Sequence, residues 1–290
     1  MRELLFPASY QQGPGVAYSE IKKILHVGTH PVIIFDEQGF NFYGKQFVKL
    51  LKRYGCIVTT FVFNDALTQD NIEDLLEQID EVNSDLVIGF GGFQTINTTK
   101  VVSDFKKLPE ILIPTEIECS NVLSPFSIIY SNELDDKFCK VEDSPSLVLV
   151  DSTILMQDSI DHFKSAALKA MLIADAIDSS QSNDKLVSKR NLVSILSENI
   201  RIFLSENYEE IYCLVLNDEY SEKIEEFLEV VILQSGICQS IQSNGRPLIY
   251  PSLTVFEIEN NNIGKLEEIF SILSRDKKSE KLETGSEVIL

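Results

Sequence analysis

Histidine is scarce in this chain. Only His26, His30 and His162 occur among 290 residues, and none follows position 162. Imidazole is the commonest ligand of catalytic transition metals, so few positions remain that could hold one. His26 and His30 are four residues apart, but Gly28, Thr29 and Pro31 break the stretch into a turn, and the pair reads as turn residues rather than a metal site. Cysteine offers no alternative. Cys56, Cys119, Cys139, Cys213 and Cys238 are scattered and show no C-x-x-C spacing, which argues for reduced, mostly buried thiols. Positive charge is also short: 25 Lys and Arg face 45 Asp and Glu, a net charge of −20. That balance excludes nucleic acid and anionic membrane surfaces as partners. Long apolar runs are missing too. Leu147 to Val150 is strand-length, and nothing approaches the roughly 20 residues that span a bilayer. The start, Met1 to Pro7, is too short and too acidic for a signal peptide, so a cytoplasmic protein is expected. No internal repeat or low-complexity tract is visible.

What is present is an ordinary apolar fraction of 44% arranged in a strand–helix alternation. Strands are expected at Pro31 to Asp36, Cys56 to Phe63, Asp85 to Gly89, Glu110 to Pro114 and Leu147 to Asp151. Helices are expected at Ser19 to Val27, Tyr43 to Tyr54, Thr68 to Val82 and Thr95 to Lys106. Phe47, Leu50 and Leu51 have core spacing, Gly55 suits a C′ position, and Thr68 suits an N-cap. Repeated βαβ units with apolar strands predict a parallel sheet covered on both faces. Two short strands, Ser127 to Tyr130 and Lys137 to Lys140, flank a turn at Asn132 to Asp136. Beyond residue 155 helical periodicity dominates, at Ser159 to Asp178, Lys189 to Glu206, Ser221 to Ser235 and Ile263 to Ser274. The expected fold is therefore α/β: a Rossmann-like parallel-sheet domain over 1–154, a shortened helical domain over 155–274, and a flexible charged tail over 275–290.

The third strand runs into Gly89-Phe90-Gly91-Gly92-Phe93-Gln94-Thr95-Ile96-Asn97-Thr98-Thr99-Lys100. A strand, then glycines, then a helix N-terminus is how α/β proteins hold a pyrophosphate: glycines let the backbone approach, and free N–H groups meet the negative charge.

Four collinear segments resemble the glycerol dehydrogenase branch of the metal-dependent (iron or zinc) alcohol dehydrogenases, which is related to dehydroquinate synthase. Pro7 to Gly15 is similar to an opening P-x-x-Y-x-Q-G-x-G, and Gly89 to Lys100 to G-x-G-G-G-K-T-x-D-T-A-K. Ile113-Pro114-Thr115 with Ser124 and Ser127 to Tyr130 is similar to V-P-T followed by S-x-x-S-V-I-Y, and Ser146 to Ser152 to P-D-L-V-L-V-D-T. The resemblance covers about residues 1–170. It implies an NAD-binding α/β domain, a helical metal-carrying domain, and a substrate cleft between them. It assigns Asp36 to the adenosine ribose, Gly91 and Gly92 to the pyrophosphate loop, and Thr115, Ser124 and Tyr130 to the nicotinamide side.

The departures fall on the chemistry. Phe93 replaces the loop's third glycine, Gln94 its lysine, and Asn97 an aspartate. Phe93 crowds the pyrophosphate path, so weak or absent NAD(H) binding is expected. The family's substrate aspartate corresponds to Ser120, and Glu116 and Glu118 are new carboxylates in that segment. The first metal ligand, an aspartate, aligns with Lys169, and no later histidine exists to supply the others. Pro247 to Pro251, in the region of the first histidine, offers no ligand. No catalytic zinc or iron is therefore expected. Lys169 reads either as a fixed cation in place of the ion or as a surface or interface lysine on a helix whose role has lapsed. His162, beside Asp161, is a candidate group in the cleft, and Cys119 reads as a buried, inert thiol because flanking carboxylates raise its pKa. Candidates for catalysis are Lys169, His162 and Ser120. Candidates for cofactor contact are Asp36, Gly91, Gly92, Phe93, Gln94, Asn97, Thr115, Ser124 and Tyr130. Two readings stay open: an NAD-linked oxidoreductase of small alcohols or polyols with altered chemistry, or a non-catalytic relative that uses the old cleft or helical surface for binding, with a small nucleotide or polyol as ligand. A shortened helical layer leaves apolar faces that a second copy of the chain would cover.

Overall fold

Neighbouring residues of the strand Pro31–Phe35 serve opposite faces of one sheet, and all five are buried. Val32 and Ile34 join Val87 in a core with Ile72, Leu75, Ile79, Val101 and Val102. Ile33 and Phe35 join Ile88 and Phe90 in another with Phe47, Leu51, Ile21 and Ile24. The period of two sends side chains both ways, and helices cover both faces, so the strand carries no polar side chain.

The computed structural model describes residues 2–4, 6–65, 67–129, 137–140, 144–182, 192–243 and 246–247. Tyr130, the expected turn at 132–136, the expected helix at 263–274 and the tail at 275–290 lie outside the described residues.

The main sheet has six parallel strands: β1 (Tyr10–Gly13), β2 (Pro31–Phe35), β3 (Thr59–Val62), β4 (Leu86–Gly91), β5 (Glu110–Pro114) and β6 (Leu147–Asp151). Their spatial order is β1-β6-β5-β4-β2-β3. The principal helices are α1 (Ile21–Val27), α2 (Lys45–Arg53), α3 (Gln69–Asp80), α4 (Phe93–Lys106), α5 (Ile160–Ser182), α6 (Leu192–Leu216), α7 (Glu222–Leu228) and α8 (Ser235–Ser240). A short antiparallel hairpin pairs Phe126–Ile129 with Lys137–Lys140.

Local signals account for the boundaries. Thr68 caps α3, its hydroxyl accepting from the Asn71 N–H at 3.4 Å. Gly55 follows α2 at φ +91, the left-handed conformation that closes a helix cheaply only at glycine. Ser159 caps α5 by accepting from the His162 N–H at 3.1 Å.

Some expected boundaries are corrected. The strand expected from Cys56 spans only Thr59–Val62, at the sheet's edge, where residues alternate between half-buried and exposed. The strand expected to stop at Gly89 runs on to Gly91, and the helix expected from Thr95 begins at Phe93. The glycine turn is thereby cut to almost nothing, because Gly89 and Gly91 stay in the ladder opposite Leu112 and Pro114. The helix expected to end at Glu206 continues to Leu216, since Ile211 still finds the core.

Helices α5 to α8 pack directly on the sheet. Leu112, Val148 and Val150 share one core with Phe163, Ala166, Ala170, Ile200, Leu204 and Phe227. Phe163 and Phe227 stack at 4.9 Å between ring centroids. Arg2–Leu4 pairs antiparallel with Ile241–Ser243, which ties the chain's start to the end of the helical layer.

Candidate functional site

Strand register assembles the site. Phe35 lies opposite Phe90, and Gly91 opposite Pro114. The residues that leave the carboxyl ends of β2, β4 and β5 are therefore neighbours: Asp36, then Gly92 and Phe93, then Thr115 and Glu116. In open α/β sheets ligands bind outside this end of the strands. A cavity of about 970 Å³ opens here. Its lining includes the carboxylates Asp36, Glu37, Glu116, Glu118 and Asp158, and no lysine or arginine among the described residues. Among the described lining residues His162 is the group able to become a cation.

The start of α4 forms the floor. The backbone N–H of Gly92 donates to Asp36 Oδ2 at 2.7 Å, and that of Phe93 donates to Glu116 Oε2 at 2.9 Å. The Thr95 hydroxyl adds a 3.3 Å bond to Asp36 Oδ2, and the Gly39 N–H donates to Asp36 Oδ1 at 2.5 Å. Asp36 thus caps two short helical starts at once. The strap from Thr115 to Cys119 is fastened separately: the Thr115 N–H donates to the Gly91 carbonyl at 3.0 Å, and the Ile117 N–H to Asp158 Oδ2 at 2.9 Å. Burial pushes the Glu116 carboxyl up; the Phe93 N–H works against that shift, and the charges of Asp158 and Asp36 add to it.

His162 faces the strap from α5. Its Nδ1 lies 2.6 Å from Asp158 Oδ1. Burial alone would lower its pKa, but the Asp158 bond and the charges of Asp158, Glu118 and Glu116 outweigh that and raise it.

Behind the strap lies Lys169. It is not the surface lysine that one reading expected: it is only 2% exposed, its Nζ donates to the Glu118 carbonyl at 2.9 Å, and the Phe93 ring centroid lies 5.4 Å away. Burial lowers its pKa, opposed by the thiol of Cys119 and the carboxylates of Glu118 and Glu116. Cys119 Sγ is 4.0 Å from Glu116 Oε2, and burial followed by the Glu116 charge pushes that thiol well up, so it is no nucleophile.

The predicted site residues divide accordingly. Asp36, Gly92, Phe93, Gln94, Thr115 and His162 line the cavity. Gly91 sits beneath it as backbone, where a Cβ would strike Asp36 and Thr95. Asn97, Ser120 and Ser124 are buried away from the lining. Asn97 Nδ2 donates to the Phe93 carbonyl at 3.1 Å, and the Ser120 hydroxyl to Gln239 Oε1 at 3.1 Å. The Ser124 carbonyl accepts from Lys100 Nζ at 2.7 Å. Ser120 therefore packs against α8 rather than facing a substrate. His26 and His30 make separate contacts, with the Lys22 carbonyl and with Asp85, and share no site. Asp158 escaped sequence reasoning; its only local signal was its place just ahead of a capping serine.

A family model for iron-containing alcohol dehydrogenases matches residues 7–152. The glycerol dehydrogenase of Pseudomonas putida is 24% identical over 155 residues, 53% of this chain and 42% of that protein. The glycolaldehyde reductase of Halobacterium salinarum is 24% identical over 241 residues, covering 80% of this chain and 65% of the relative. The crystal structure of glycerol dehydrogenase from Schizosaccharomyces pombe superposes with a TM-score of 0.75 at 18% identity, over 94% of this chain and 76% of that one. The chain spans about two fifths of the length of several glycerol dehydrogenases it matches. On the family match and the shared fold together, the chain belongs to the iron-containing alcohol dehydrogenase family, in its glycerol dehydrogenase branch.

Proposed function

We propose that this chain is a member of its family in which metal-dependent oxidation of alcohols has lapsed and the cleft serves to bind a small polar ligand. The observation that carries the reading is Lys169. The resemblance assigns position 169 to the first metal ligand, and here a buried ammonium fills it, donating to the Glu118 carbonyl and covered by the Phe93 ring. A dication held about 4 Å from that ammonium would be repelled by roughly 8 kcal/mol at an effective dielectric of 20. The donor set and the metal therefore do not fit.

The nicotinamide cofactor of the family fits no better with the side chains as placed. A pyrophosphate at the start of α4 would meet the Gly92 and Phe93 N–H groups already held by Asp36 and Glu116, in a cleft walled by carboxylates. The glycerol dehydrogenase relatives supply the ligand class: a small polyol offers neutral hydroxyls, which carboxylates accept readily.

The test is glycerol-dependent reduction of NAD+ by the purified full chain, with added zinc or ferrous iron and with a chelator. No rate above the protein-free blank is expected in either condition. Turnover above about 1 s⁻¹, the ordinary lower range of enzyme rates, that the chelator abolishes would overturn the reading.

A further inference from the structure

The first four N–H groups of a helix have no partner within it, and at α4 two of them, those of Gly92 and Phe93, find partners elsewhere in the chain. Asp36 reaches Gly92 across 56 residues of sequence, and Glu116 reaches Phe93 across 23. Glu116 does more than accept one bond. The space left by the missing side chain of Gly92 is filled by its carboxyl, into which a Cβ at that position would collide. A glycine followed by a helix start is a receptor for a phosphoryl group because it combines exposed N–H donors with an empty approach. In this chain both features survive: Asp36 and Glu116 each take one of the donors, and Glu116 also fills the approach.

The backbone carrying Glu116 does not depend on its carboxyl. The strap is fastened through the Thr115 N–H to Gly91, the Ile117 N–H to Asp158, and the Glu118 carbonyl to Lys169. None of those anchors uses the carboxyl, so trimming it leaves them in place. The groups that face it are Asp36 from the end of β2, Glu118 and Cys119 from the same strap, Asp158 and His162 at the head of α5, and Lys169 further along α5. Three of these six groups are carboxylates, set against Lys169 and His162, and the Phe93 N–H holds Glu116 in place.

We propose that Glu116 is an internal plug: its carboxylate stands where a phosphoryl group would stand at the start of α4, so phosphate-bearing ligands bind only when Glu116 is displaced. This rests on the reading of the cleft as a ligand site. The plug makes Glu116 the residue that separates neutral ligands from anionic ones.

The experiment is calorimetric titration of the full chain with inorganic pyrophosphate and with NAD+. Wild type, Glu116→Gln, Glu116→Ala and Glu118→Gln are compared, each first checked for a cooperative thermal transition. Affinity for pyrophosphate is expected to rise by at least about tenfold in Glu116→Ala. Glu116→Gln should fall between it and wild type, because the amide oxygen can still accept from Phe93 but carries no charge. Glu118→Gln, which removes a charge from the same cleft without touching α4, should stay within about threefold of wild type. NAD+ should follow the same order. Equal gains in the Glu116 and Glu118 variants would reduce the effect to general charge and overturn the plug. Wild-type pyrophosphate binding as tight as that of Glu116→Ala, or no gain in either Glu116 variant, would overturn it as well. Should Glu116→Ala fail to fold, the isosteric Glu116→Gln carries the comparison. The readout is anion affinity, so brisk glycerol oxidation would sink the proposed function without deciding this point.

Discussion

The Phe93 ring lies over the Lys169 ammonium, with 5.4 Å between nitrogen and ring centroid. These are two of the positions at which the sequence resemblance implies a departure from the family, and they touch. A phenyl face stabilises a cation by its quadrupole, and more so when water is excluded, as it is around a lysine 2% exposed. Glycine at position 93 would leave that ammonium with the Glu118 carbonyl as its only described hydrogen-bond acceptor. On the correspondence that the sequence resemblance implies, the two positions form one rearrangement: a ring and a cation in place of an open loop and a metal ligand.

Their coupling is measurable. In a double-mutant cycle with Phe93→Leu and Lys169→Met, a favourable interaction of about 1 kcal/mol is expected, within the roughly 0.5–2 kcal/mol range of cation–π pairs. Urea melts of the four proteins check it. Additive single effects would show that the contact contributes nothing.

Restoring an aspartate at position 169 should not restore a metal site. Lys169→Asp would bury a carboxylate near Glu116 and Glu118, and its destabilisation is expected at about 3 kcal/mol or more. Zinc should not raise the variant's melting temperature, because the sequence holds no histidine beyond 162. A zinc-dependent rise of several degrees would contradict this.

Gly92→Ala probes the plug by stability alone. Gly92 has φ −79 and ψ −166, backbone any residue adopts, so a cost must come from the Cβ against Glu116. About 1–3 kcal/mol is expected in wild type. In a Glu116→Ala background the same change should cost much less. An equal cost in both backgrounds would place the strain elsewhere.

His162 sets a pH dependence. Its folded pKa is raised, so its bond to Asp158 contributes stability fully below the ordinary histidine value near 6.5 and loses it as pH rises through the folded value. The ring is about half exposed, which keeps the effect small. Proton NMR should show His162 titrating above the ordinary range, and Asp158→Asn should bring it back. A titration unchanged in Asp158→Asn would show that the pair does not hold the proton.

Asp151 should be structurally costly to lose. Its carboxylate accepts from the N–H groups of Gly15, Ala17 and Thr153 at 2.9, 3.1 and 3.0 Å, and from the Thr153 hydroxyl at 2.6 Å. Asp151→Ala is expected to cost roughly 3 kcal/mol in thermal or urea unfolding, since it leaves the buried Ala17 N–H and the part-buried donors of Gly15 and Thr153 without this partner. A loss under about 1 kcal/mol would mean that water replaces the carboxylate.

Apolar periodicity was enough to place five of the six sheet strands, the covering helices, Asp36 at a strand end and the glycines before α4, but not the polar edge strand Tyr10–Gly13, whose place is set by its pairing with β6. Those signals are local, because each reports whether a residue's own neighbours can be buried on one face or two. The chemistry of single positions was equally legible: a lysine at position 169 and no histidine after 162 speak for themselves. Tertiary structure decided which of these residues meet. Glu116 was visible as an extra carboxylate, but only the pairing of Gly91 with Pro114 brings it to the Phe93 N–H. Phe93 and Lys169 were visible as separate departures, and only the packing of α5 on the sheet puts the ring on the ammonium. Hydrogen bonds and cation–π contacts are directional and short-ranged, so their partners are chosen by register and packing between distant segments.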